Sequence, residues 1–206
     1  MTAARHWADV YRTKAMTTVS WFQTEAARSV QLITTHAPAR TSRIIDVGAG
    51  ASPLVDGLLH EGYADITLLD IAEPALALTR TRLGAAAAGI RTLAADVLDA
   101  PLPPAGYDVW HDRAVFHFLT SAPDRDRYLA QLRHALAPDG VVILATFADD
   151  GPERCSGLPV ARYSGDALTD VLGRGFRVLA TEREAHQTPG GSMQSFTWLA
   201  AKRTGR

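Results

Sequence analysis

Short, continuous apolar runs recur along the chain, the first four closed by an acid or a glycine. They are "RIIDVG" at 43–48, "ADITLLD" at 64–70, "IRTLAAD" at 90–96, "YDVWHD" at 107–112 and "GVVILATF" at 140–147. Runs of this length without alternation predict strands buried on both faces, as in a parallel sheet. Helical patterns separate them: Ser52–Glu61, Glu73–Ala88 with Pro74 in its first turn, and Pro123–Ala137, which the "PDG" at 138–140 should stop. Strand–helix alternation predicts a doubly wound sheet with helices on both faces.

The pattern changes in the last third. "SGDALTDVLGRGF" predicts a helix capped by Ser164 or Asp166 and stopped at Gly173 or Gly175. "FRVLATERE" and "SMQSFTWLAAK" follow as strands joined by "TPGGS", a connection too short for a parallel crossover. The fold class expected is therefore α/β: a doubly wound, mostly parallel, seven-stranded sheet with an antiparallel C-terminal hairpin, preceded by N-terminal helices. No repeat or linker divides the chain, and residues 1–206 are expected to form one domain.

Composition narrows the partners. Of 206 residues 47% are hydrophobic, enough for a sizeable core. The 21 basic and 22 acidic residues leave a formal net charge of −1, with no basic field for a nucleic-acid backbone. No apolar run approaches the roughly 18 residues of a membrane span, and "MTAARHWADVYRTKAMTTVSW" lacks the apolar core of a signal peptide. The single Cys155 forms no internal disulfide. A cytoplasmic protein without membrane or nucleic-acid partners is expected.

The candidate chemistry begins at the turn Gly48-Ala49-Gly50-Ala51-Ser52-Pro53. A dinucleotide-binding turn calls for a third glycine where Pro53 stands, and Pro53 also removes an N–H from the helix start. Asp46, just before the glycines, would repel a pyrophosphate and favour an amine or a cation. Asp70 ends the second run, followed by Ile71, where an acid accepts hydrogen bonds from both ribose hydroxyls. Asp96, with Val97 behind it, is placed to read an adenine edge. The ligand so described carries ribose, adenine and an ammonium and needs no phosphate.

"IIDVGAG", "LLDIA", "AADVLD", "YDVWHDRAVFHFL" and "LRHALAPDGVVILATF" occur in order at matching spacings, and with them the chain resembles the class I S-adenosylmethionine (SAM)-dependent methyltransferases over nearly its whole length. The resemblance implies a Rossmann-like core over 41–206 and SAM as cofactor. It sets Gly48 and Gly50 beside the methionine moiety, Asp70 on the ribose, Asp96 and Val97 at the adenine, and Arg113 in the loop after the fourth strand. "HWADVYRTKAMTTVSWFQ" is similar to the start of a bacterial methyltransferase subgroup and, more loosely, of eukaryotic protein-lysine methyltransferases. That likeness implies a helical lid over 1–40, with Trp7, Tyr11 and Trp21 folded over the cofactor. Aromatic faces there suit a sulfonium cation and exclude water.

The expected activity is methyl transfer from SAM to an acceptor, a small molecule as first choice and a protein lysine as second. His111 and His117, after the fourth run, are the candidate proton acceptors; packing of His117 in a short apolar helix is the competing reading. Asp112 is expected to cap that helix, and "RCSGLP" at 154–159 is expected as a loop near the acceptor. No His or Cys spacing suggests a metal. Two other classes compete. An NAD-dependent oxidoreductase is opposed by Pro53 and by the lack of a Tyr-x-x-x-Lys pattern. A SAM-binding protein without turnover carries the same binding motifs. The acceptor's identity and the oligomeric state are not encoded in these patterns.

Overall fold

The computed structural model describes residues 2–205. Helices α1 (Ala3–Thr13) and α2 (Ala27–His36) lead into a βα series. It runs β1 (Ile44–Val47), α3 (Leu54–His60), β2 (Ile66–Asp70), α4 (Glu73–Leu83), β3 (Arg91–Ala94), β4 (Tyr107–Arg113), α5 (Ala122–Ala135) and β5 (Leu136–Phe147). A two-residue-strand hairpin, β6 (Arg154–Cys155) and β7 (Leu158–Pro159), precedes α6 (Gly165–Leu172), β8 (Phe176–Gln187) and β9 (Met193–Arg203).

Seven strands form one sheet in the order β3-β2-β1-β4-β5-β9-β8. Strands β1 to β5 are parallel; β9 is antiparallel to both β5 and β8. The expected sheet and its antiparallel hairpin are thus present. One apolar layer joins Ile33, Leu54, Leu58 and Leu76 from α2, α3 and α4 to Ile44, Ile66, Val109 and Ile143. The other joins Tyr128, Leu132 and Leu168 from α5 and α6 to Ile45, Trp110, Val142 and Leu199. Helix α1 lies beside α4, over the end of the sheet where β1 and β2 finish.

Several boundaries differ from the sequence expectation. The helical run expected over Glu73–Ala88 extends only to Leu83, because Gly84 adopts φ +55° and the Ala-rich 84–89 segment continues as a 3₁₀ turn. β3 is not buried on both faces; as an edge strand it leaves Arg91 and Ala94 exposed. "PDG" does not separate α5 from β5. The helix ends at Ala135, Leu136 already pairs with Tyr107, and 137–140 bulges before Val141 pairs with Val109. The bulge carries Asp139 at φ +62°, and Pro138, with no N–H to give a ladder, fits there. "RCSGLP" is a tight hairpin rather than an open loop: Ser156 and Gly157 both have positive φ, the conformation a two-residue hairpin turn requires.

Candidate functional site

Two adjoining clefts open where β1, β2 and β4 end. The larger encloses about 530 Å³ and is bordered by Trp7, Tyr11, Trp21, Gly48, Asp70, Ile71, Asp96, Val97 and Arg113, together with the β6–β7 hairpin. The smaller, about 70 Å³, lies on the other side of the glycine turn and is bordered by Asp46, Gly48, Gly50 and His111. Tyr11, Trp21, Gly48 and Arg113 border both. Twelve of the thirteen residues expected at the site are therefore brought together, and His117 is not.

The glycine turn is held by its own chain. Gly48 and Ala49 N–H donate to the Leu69 carbonyl (2.7 and 3.0 Å), and Gly50 N–H donates to Asp70 Oδ2 (2.8 Å). Ser52 N–H goes to the Ala49 carbonyl and Leu54 N–H to Ser52 Oγ. These N–H groups are spent on protein acceptors, and Pro53 contributes none. Little remains of the cradle of free amides that a pyrophosphate needs. The glycines are required by conformation and space. Gly48 and Gly50 have φ +66° and +55°, and an added Cβ would stand 1.9 Å from Val115 Cγ2 and 2.3 Å from Tyr11 Oη respectively. Tyr11 of α1 thus rests on the turn itself.

Asp70 is 6% exposed at the end of β2. Its Oδ2 accepts from Gly50 N–H and its Oδ1 from Ala72 N–H (2.7 Å). Burial pushes its carboxyl up to about 6, against the lowering effect of the two backbone bonds, with Asp46 adding a further push. A carboxylate has roughly four acceptor sites, so both oxygens keep capacity for a ligand. Asp96 lies two residues past β3, half-buried, its Oδ1 accepting from Leu98 N–H (3.0 Å). Asp99, its neighbour in sequence, is exposed and pairs with Arg127.

The aromatic residues of the N-terminal segment meet above the cleft. Trp7 is edge-on to Trp21 at 5.7 Å and to Phe118 at 5.1 Å between ring centroids. Phe118, just after β4, was not singled out from the sequence. The tyrosine hydroxyl of Tyr11 is held un-ionised, its pKa raised by burial and then by Asp70.

His111 faces the smaller cleft but has no free nitrogen. Its Nδ1 lies 2.7 Å from Asp46 Oδ1 and its Nε2 2.9 Å from Ser29 Oγ of α2, all three side chains being buried. Register sets the first contact, since Asp46 and His111 are direct partners across β1 and β4. His117 is fully buried, and its Nδ1 accepts from Phe147 N–H (3.3 Å). Burial, and then Arg113, drive its pKa down to about 3, so the ring is neutral. A proton-acceptor role for His117 does not go with this position. The ring packs against Phe118 and Phe147 as a core side chain. Asp112 receives Val115 and Phe116 N–H and the Tyr128 hydroxyl, the expected cap of the 3₁₀ turn 116–118.

Residues 44–140 match the model of a family described as a methyltransferase domain. An uncharacterized methyltransferase of Mycobacterium tuberculosis is 34% identical over 120 residues, 56% of this chain and 56% of the relative; a counterpart from Mycobacterium bovis matches equally. The chain spans just over half the length of the curated relatives it matches. Among solved structures, one from work on conversion of a disulfide bond into a thioacetal group during echinomycin biosynthesis gives a TM-score of 0.77 at 19% identity, covering 98% of this chain and 93% of the other. The 1,6-didemethyltoxoflavin-N1-methyltransferase of Burkholderia thailandensis, solved with 1,6-didemethyltoxoflavin and S-adenosylhomocysteine, gives 0.72 at 22% identity, covering 99% and 92%. At these identities the structural likeness establishes the fold.

Proposed function

We propose that this chain, whose residues 44–140 match the model of a methyltransferase-domain family, is a class I SAM-dependent methyltransferase acting on a small molecule. The observation that carries the reading is the convergence of Asp70, Asp96, Val97 and Gly48 on one cleft of about 530 Å³ under Trp7, Tyr11 and Trp21. The volume lies within the range of cofactor pockets. SAM supplies an electrophilic methyl group on a sulfonium.

In this reading Asp70 accepts the ribose hydroxyls, Ile71 packs beside them, and Asp96 with the Val97 N–H takes the adenine edge. The smaller cleft receives the methionine end. Asp46, one oxygen held by His111 and the other with no protein partner among the described residues, accepts the ammonium. The aromatic trio and Phe118 cover the sulfonium and keep water out, so alignment in a dry site carries most of the acceleration. Neither histidine is needed as a base here; a nucleophile that arrives deprotonated, or loses its proton to solvent, suffices. Residues 1–40 act as the lid of a single domain. The likeness to a methyltransferase solved with the small molecule 1,6-didemethyltoxoflavin supports a small acceptor over a protein. No helix among the described residues is long and apolar enough to cross a membrane.

Calorimetry with SAM, S-adenosylhomocysteine and NADH tests the binding half, and transfer of a labelled methyl group to small-molecule extracts tests turnover. Binding of both adenosyl compounds, with no NADH heat, is expected. Tight NADH binding without SAM binding would sink the proposal, and SAM binding without any transfer would leave a binding protein.

A further inference from the structure

Arg113 ends β4 at the junction of the two clefts. Its guanidinium lies over the Phe196 ring, 4.7 Å to the centroid, and Nη1 donates to the Trp21 carbonyl at 3.3 Å. Nε and Nη2 are buried and have no hydrogen-bond partner among the described residues. These two N–H bonds are the parallel pair along one edge of the guanidinium, spaced to meet both oxygens of a carboxylate. The chain uses the same edge elsewhere: Arg43 Nε and Nη2 grip Asp108 at 3.0 and 2.7 Å. No described carboxylate forms an ion pair with Arg113. Glu184, the acid that acts on it most strongly, accepts the indole N–H of Trp198 instead. A buried cation with an unmet bidentate edge is costly unless something pairs with it.

We infer that the Nε–Nη2 edge of Arg113 receives the carboxylate of the methyl acceptor, so that the acceptor is a small carboxylic acid. The inference rests on the methyltransferase reading and specifies its substrate class. Phe118, Cys155, Leu158 and Pro159 border the large cleft with Arg113, and none of them is charged at neutral pH, since burial pushes the Cys155 thiol up to about 11. With a sulfonium bound, that wall faces two positive charges. An anionic acceptor relieves both, whereas a lysine ammonium adds a third. The methionine end of the cofactor has other neutral donors within its own cleft, Gln23 and Ser52, and brings no net charge of its own. Trp21, whose carbonyl takes the third donor, belongs to the covering segment. Entry of the acceptor and seating of that segment therefore share one side chain.

Benzoate, with benzamide and benzylamine as its neutral and cationic counterparts, serves as probe. Each is titrated into the full chain saturated with S-adenosylhomocysteine, for wild type, Arg113→Met and Arg113→Lys, with melting curves to establish folding. Benzoate should bind the wild type at least tenfold more tightly than either counterpart. It should weaken at least tenfold in Arg113→Met, with Arg113→Lys intermediate because it keeps the charge and loses the fork. Arg113→Lys decides the matter if the Met variant does not fold. Absence of benzoate binding to the loaded wild type, or equal binding by wild type and a folded variant, overturns the inference. It is also overturned if the variants lose SAM affinity tenfold while decarboxylated SAM binds all three proteins alike, for then Arg113 serves the cofactor's carboxylate. Failure of wild type to bind S-adenosylhomocysteine at all is a different result, which overturns the methyltransferase reading and the acceptor site with it.

Discussion

SAM binding should strengthen as pH rises from 5 to 7, because Asp70 must be ionised to accept two hydroxyl hydrogens. Burial places its carboxyl at about 6 in the free protein. About one molecule in ten then carries the ionised form at pH 5, and about nine in ten at pH 7. If the protonated form binds weakly, the apparent Kd falls about tenfold over that interval, ~1.4 kcal/mol. Fold stability has the opposite sign. A carboxyl whose pKa is raised on folding contributes most below its unfolded value near 4 and loses that contribution as pH climbs through 6, about 3 kcal/mol at the upper limit. Asp112, also raised to about 6 by burial, titrates in the same window but borders neither cleft. Calorimetry at pH 5, 6, 7 and 8, in buffers of different ionisation heat, measures both affinity and proton release. Asp70→Asn separates the two carboxyls: it retains an oxygen for one of Gly50 and Ala72 but sets an amide NH₂ against the other N–H. Affinity should drop by about 2–4 kcal/mol at pH 7, and the pH slope should vanish. A flat wild-type profile, or an unchanged slope in the Asn variant, would refute the assignment of Asp70.

The remaining expectations concern the lid and the histidines. Trp7→Ala removes the edge contacts to Trp21 and Phe118 and should weaken SAM by about 1–2 kcal/mol with the melting temperature nearly unchanged; fluorescence titration reads the first and calorimetric melting the second. Deleting residues 2–22 should leave the sheet's circular dichroism signal but cripple turnover, and full activity would return Trp7, Tyr11 and Trp21 to a packing role. His111→Ala should destabilise the fold by about 1–3 kcal/mol, since buried Asp46 loses its hydrogen-bond partner, whereas Ser29→Ala should cost about 1 kcal/mol; denaturant unfolding measures both, and no loss in His111→Ala would mean the Asp46–His111 contact contributes nothing to the fold. His117→Gln should keep the wild-type pH–rate profile, because the ring is neutral and buried throughout; a lost acidic limb would show that it does exchange protons with the acceptor.

Most of the parallel sheet was legible because β1, β2, β4 and β5 are dense apolar runs and helices of ordinary length follow β1 and β2 and precede β5. Asp70 and Asp96 were legible because an acid after a buried run falls at the ligand end of a parallel sheet. What escaped was set by contacts across long separations or by backbone detail. Nothing near Ser29 announces that its hydroxyl meets His111, because the two lie 82 residues apart in sequence and only the folded chain joins them. The unmet edge of Arg113 is invisible for the same reason. "PDG" read as a stop, yet a bulge holds those residues inside the strand ladder. The Ser156–Gly157 pair was an available signal for the short hairpin that borders the larger cleft, overlooked because the flanking strands are two residues each.

The insertion of β9 between β5 and β8 has a consequence for biosynthesis. Every residue of β5 from Val141 to Phe147 is buried, and along that side its ladder is filled only by Met193–Arg203. As the chain leaves the ribosome, β5 emerges well ahead of its neighbour. A water-averse strand edge stays open while some fifty residues are still being added, the circumstance in which unpaired edges recruit other chains. Products that stop within the β8–β9 connection should therefore accumulate as insoluble material even though all five parallel strands have been made.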